Sequence, residues 1–170
     1  SSATSIDMSA FSGCPNLSAI SVDGNNSSYS SQDGCIYNAA GTKLIYVPQG
    51  KGSITLGNAT TTIGSGAFAD NRSITDLTLS SSETTVEDNA FDGSGIKTIT
   101  IPESVKSIGA QGNWNPSMIK LYNRSQAHIF ADNNEFPYEI IGEAQNPVDP
   151  SNPDDPSQGG DKPDNPNQGG

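Results

Sequence analysis

Cations, cysteine, histidine and long apolar runs are all scarce in this sequence, and each shortage removes a class of function. Lys and Arg total 8 against 19 Asp and Glu, giving a net charge of −11. Nucleic-acid phosphates require clustered Lys and Arg, and an anionic membrane surface requires them too. No stretch approaches the roughly 18 consecutive apolar residues that a membrane helix needs. With His128 as the one histidine and Cys14 and Cys35 as the two cysteines, neither a triad nor a zinc set is available. Two cysteines define no disulfide framework and read as small buried apolar side chains. His128 reads as a partly exposed residue of a capping helix. Serine is plentiful, but the G-x-S-x-G elbow is missing, and Gly50-Lys51-Gly52-Ser53 lacks the phosphate-loop frame. Asp23-Gly24-Asn25-Asn26, Glu87-Asp88 and Asp132 to Glu135 lack calcium-loop spacing. No catalytic residue, cofactor or metal site is assigned, and the chain reads as non-enzymatic.

Hydrophobic content is also low, at 32%, but unevenly so. From Gln145 onward the only aliphatic residue is Val148, while six of the eleven prolines lie there. Such a composition cannot offset its ordering entropy, so residues 144–170 read as a disordered, extended Pro/Gly/Asp-rich linker. Residues 1–143 remain as one domain, long enough to bury a continuous core. The chain opens as Ser1-Ser2-Ala3-Thr4-Ser5 inside an apparent repeat, which reads as a fragment of a longer protein.

That repeat is the dominant positive signal. Ala10-Phe11 precedes Leu17, Ile20 and Val22; Ala67-Phe68 precedes Ile74, Leu77 and Leu79; Ala90-Phe91 precedes Ile96, Ile99 and Ile101. Phe68 and Phe91 are 23 residues apart, and Phe11 and Phe68 are 57 apart. A period in the low twenties with L-x-x-L-x-L spacing is the signature of a leucine-rich repeat solenoid. Alternation in Ile74–Leu79 and Ile96–Ile101 predicts strands. A whole coil separates successive copies, so these strands stack in parallel. Phe11, Phe68 and Phe91 are expected to point inward along the axis, each coil covering the next. Ile54 precedes Ile63 by nine residues, as Leu77 precedes Val86 and Ile99 precedes Ile108. Ser53–Leu56 is therefore expected to be the strand of a further coil, giving about four coils and a cap. The turn Asp92-Gly93-Ser94-Gly95 is one residue shorter than its counterparts.

Between about residues 23 and 52 an insertion interrupts the array. In it, Gly34–Tyr37 and Lys43–Val47 flank the turn Asn38–Gly41 and predict a β-hairpin, ended by Pro48. After Ile108 the repeat breaks down into a loop around Trp114 and a strand over Met118–Tyr122. Ser125 then caps a short helix over Gln126–Asp132, and a last strand follows over Phe136–Ile141. This segment reads as the terminal cap.

The units Ala10–Leu17, Ala67-Phe68 and Ile99–Gly109, with the insertion from Asn26 to Pro48 and the run Ser125–Tyr138, resemble BspA-like leucine-rich repeats of the Treponema type. The likeness covers about residues 1–143. Departures are the short Gly93–Gly95 turn and Ile108-Gly109-Ala110, which Gln111 follows where phenylalanine is usual. The resemblance implies a secreted or cell-surface bacterial module for adhesion or protein-ligand binding, whose partner is a host or bacterial surface protein. It brings no fixed ligand and no binding residue. A structural spacer and an accessory glycan-binding module are the alternatives.

Exposed aromatics are the candidate contacts, because Trp and Tyr are favoured anchors. Trp114 sits in a Gly/Asn/Pro loop with no apolar pattern to bury it. It is read either as a ligand contact or, more simply, as a lid over the end coil. Tyr29, Tyr37 and Tyr46 of the insertion are read as contacts or as packing between hairpin and solenoid.

Overall fold

The computed structural model describes residues 3–57 and 59–145. Its apolar repeat positions wind the chain through about five turns of a solenoid. In chain order the strands are β1 (Tyr29–Gln32), β2 (Cys35–Asn38), β3 (Lys43–Tyr46), β4 (Thr62–Ile63), β5 (Asp76–Thr78), β6 (Thr85–Val86), β7 (Thr98–Thr100), β8 (Ser107–Ile108), β9 (Met118–Asn123) and β10 (Tyr138–Glu143). Helix α1 (Gln126–Asn133) lies between β9 and β10, and a 3-10 turn covers Met8–Phe11. Two sheets result, ordered β1-β2-β3-β4-β6-β8 and β10-β9-β7-β5.

The second of these is the expected parallel stack. Leu77, Ile99 and Ile119 lie in register and point inward, all buried. The first sheet goes beyond the sequence reading. Thr62-Ile63, Thr85-Val86 and Ser107-Ile108, which carry no strand pattern of their own, pair in parallel. Two residues per coil are too few to show an alternation. The expected hairpin is present as β2 and β3, and β1 joins it to form an antiparallel meander. Strand β3 then pairs in parallel with β4, which ties the insertion into the solenoid sheet.

Three expectations are corrected. Ser53–Leu56 is not a strand: the Thr55 amide donates to Asp33 Oδ2 at 3.0 Å, and the ladder stops at β5. Leu56 still enters the core, with Ile54 packed against it. Phe11 is only half-buried, stacking on Tyr46 at 5.3 Å between ring centroids instead of joining the central column. Cys14, expected to be buried, is exposed on the same terminal turn; Cys35 is buried, and both are free. Burial pushes the Cys35 thiol up to about 12, so it packs as a neutral side chain.

The core is an aromatic column. Phe68 and Phe91 lie 5.7 Å apart, Phe91 and Trp114 4.9 Å, Trp114 and Phe136 5.7 Å, and Phe136 and Phe130 5.8 Å. Backbone bonds lock the coils at this end: Val47 N–H donates to Ala67 O and Phe68 N–H to Ala90 O, both at 2.8 Å. Asn71 is fully buried because it serves four backbone groups, donating to Pro48 O and Lys51 O and accepting from the Ser73 and Ile74 amides. Helix α1 begins as expected, with the Ser125 hydroxyl accepting the His128 amide. His128 Nδ1 accepts from Arg124 N–H and its Nε2 lies 3.1 Å from the Tyr138 hydroxyl, which pins the helix to β10.

One core position is anomalous. Tight turns place Thr60, Glu83 and Val105 at equivalent points of three coils, each with its amide donating to the carbonyl three residues back. All three are fully buried. Glu83 Oε2 accepts the Ser80 hydroxyl at 2.6 Å, but Oε1 has no partner. Burial raises the Glu83 pKa above the usual glutamate value, against the smaller lowering effect of Ser80.

Two predictions arise from this packing. Phe68→Ala and Phe91→Ala should each cost about 3–5 kcal/mol in denaturant unfolding, while half-buried Phe11→Ala should cost about 1–2 kcal/mol. Equal losses at all three would contradict the placement of Phe11. A raised folded pKa means the Glu83 contribution is fully present below the unfolded glutamate pKa and is lost as pH rises through the folded value. Glu83→Gln should therefore add about 1 kcal/mol of stability at pH 8 and flatten the pH dependence between pH 4 and 8. A variant with an unchanged pH profile would refute this.

Candidate binding surfaces

Strands that bury alternate residues present the others as straight rows. On the β5-β7-β9-β10 sheet, Asp76, Thr98 and Met118 form one row, and Thr78, Thr100, Lys120 and Glu139 a second. Asp76, Thr78 and Glu139 are exposed; Thr98, Thr100, Met118 and Lys120 are half-buried. Lys120 Nζ stands 3.8 Å from Glu139 Oε2. At the far edge, β10 carries Ile140 and Ile141, which are 47% and 41% exposed. The in-register backbone fixes the spacing along each row, so the surface is rigid without any contact among its side chains.

The aromatic residues picked from the sequence lie mostly elsewhere. Trp114 is 3% exposed: its indole Nε1 donates to Ile96 O at 3.0 Å and its ring lies between Phe91 and Phe136. Its apolar neighbours come from other coils rather than from its own loop. Tyr37 is fully buried in the core and Tyr46 is 4% exposed beneath Phe11. Burial leaves these three little surface for a partner. Tyr29 is half-buried, with its hydroxyl accepting the Ile6 amide. None of the four lies on the rows above. The row residues were not singled out from sequence, although the outward positions of the L-x-x-L-x-L strands were already visible.

Charge on the opposite side is mostly neutralised locally. Lys43 Nζ meets Glu87 Oε1 at 2.6 Å, and Glu87 Oε2 accepts the Ser65 amide. Lys43 and that amide hold the Glu87 carboxyl below its usual range. Lys51 pairs with Asp33 at 3.1 Å. Among the described residues, no group of three or more His, Cys, Asp and Glu converges as a metal-ligand set. No described helix is long and apolar enough to cross a membrane.

Two parallel ladders, a coil period of 22–23 residues and a buried aromatic column define a leucine-rich repeat solenoid. Residues 50–120 match the family model described as BspA type leucine rich repeat region (6 copies). A crystallised leucine-rich repeat protein from Eubacterium ventriosum is similar, with 28% sequence identity and a TM-score of 0.54. The likeness covers 64% of this chain and 31% of that one, so this chain spans about a third of that protein's length. No curated protein matches the sequence. A repeat module of this kind is a scaffold suited to binding.

Proposed function

We propose that the chain is a non-enzymatic, extracellular module of a bacterial surface protein that engages a host or bacterial surface protein through the outward face of β5, β7, β9 and β10. The observation that carries this reading is the pair of in-register rows, Asp76-Thr98-Met118 and Thr78-Thr100-Lys120-Glu139, on a rigid sheet. Preordered side chains lose little entropy on binding, and exposed Ile140 and Ile141 at the end of the face offer apolar area to a partner. The BspA-type repeat region supports the same direction, since repeat surfaces of this shape act by contact rather than by enclosing a substrate.

The test screens the whole chain against immobilised host matrix proteins and bacterial surface proteins. Lys120→Glu and Thr100→Arg alter the middle of the face without touching the core. Each should weaken a confirmed protein ligand at least tenfold, about 1.4 kcal/mol. Binding unchanged in both variants would overturn the assignment to this face.

A further inference from the structure

The turn from Asp70 to Ser73 departs from its neighbours. The second residue after the turn aromatic adopts a left-handed conformation in three coils: Gly13 at φ 72°, Asp70 at 57° and Gly93 at 64°. Glycine occupies that position without strain, whereas an L-residue carries a cost of about 1 kcal/mol. The third coil nonetheless places a carboxylate there and a guanidinium two residues on. The following turn accommodates both with glycines. A Cβ on Gly93 would stand 2.8 Å from Asp70 Oδ1, and one on Gly95 2.7 Å from the Arg72 carbonyl oxygen. The shortened Gly93–Gly95 turn thus leaves room for the charged one.

These charges are unused within the described structure. The Asp70 carboxylate and Arg72 guanidinium make no hydrogen bond or ion pair, with each other or with another described residue, and neither does the Gln49 side-chain amide. Together with Gly13, Pro15 and Ser73 they line an open depression of about 450 Å³ between the turns of the first and third coils. A second depression of about 240 Å³ shares Gln49 and Asp70 and leads toward Ser9, Ser12 and Ser65, with Met8, Ile45 and Tyr46 as its apolar lining.

We propose that this groove is a carbohydrate-binding site. An unpaired carboxylate accepts from two vicinal hydroxyls, a guanidinium fork donates to a hydroxyl pair or a sugar carboxylate, and an amide does both. The serine hydroxyls beyond extend the same chemistry along the groove. The larger depression has no aromatic or large aliphatic lining residue, so it lacks the anchor pocket on which a peptide ligand depends. Its volume lies within the range of small-ligand sites, about 300–1,000 Å³. This site is separate from the sheet face, and the two stand or fall independently.

The test probes an array of neutral and uronic-acid oligosaccharides with the whole chain, followed by calorimetry with the soluble form of any glycan bound. Asp70→Asn keeps the left-handed backbone, which asparagine tolerates, and removes the charge; Arg72→Gln removes the fork. Each should weaken glycan binding at least tenfold with an unchanged thermal melt, while Lys120→Glu should leave it unaffected. Absence of binding to every glycan would overturn the proposal. So would affinities within twofold of the parent in both groove variants, or a loss seen only with Lys120→Glu.

Discussion

Ring-on-ring contact between successive coils is the constraint on which the rest of this molecule depends. A single coil has an apolar face and nothing of its own to cover it. Phe68, Phe91, Trp114, Phe136 and Phe130 solve this jointly, each ring lying against the next. Such pairs contribute about 0.5–1.5 kcal/mol beyond the area they bury. Removing one ring exposes two neighbours, so the column ties the coils into one cooperative unit.

The last coil shows how strongly this constraint acts. Its turn departs from the others after Ile108, and Phe91 meets a side chain where Phe68 meets the Ala90 carbonyl. Gln111 fills that gap with its side chain: Oε1 accepts the Phe91 amide while Nε2 donates to Glu87 O and Gly109 O. The missing ring is supplied by Trp114, six residues after Ile108 where Phe91 follows Val86 by five. The Ala-Phe pair of the earlier coils, carbonyl from one and ring from the other, is thus replaced by Gln111 and Trp114. Asn71 likewise serves buried backbone groups of its neighbours, whereas Glu83 enters the core with half its carboxylate unmatched.

Sequence made the solenoid, the β2-β3 hairpin and the Ser125-capped helix readable because each rests on local spacing or on one turn residue. It hid the parallel part of the first sheet, where β4, β6 and β8 are two residues long and hold together only by neighbouring coils. It hid the neighbours of Trp114 for a related reason. A polar loop surrounds Trp114 in sequence, while Phe91 and Phe136, more than twenty residues away on either side, surround it in space. Ser53–Leu56 had strand spacing, but a single carboxylate, Asp33, captured the Thr55 amide. The outward sheet face was half legible: strand alternation says which residues point outward, and only the register says which stand side by side. Asp70 and Arg72 were unreadable as a pair in a groove, since the far wall comes from a turn more than fifty residues earlier.

The two ends of the solenoid are built on different principles. At one end the antiparallel β1-β2 meander closes the first sheet against further parallel strands, and at the other α1 and β10 turn the chain aside. Between them the coils from β4 to β9 differ by small offsets of a common period. Duplicating one such coil would lengthen the molecule by one inter-strand step, about 4.8 Å, while leaving both ends intact. Reach can therefore be adjusted through copy number alone, in increments set by the hydrogen bond between adjacent strands.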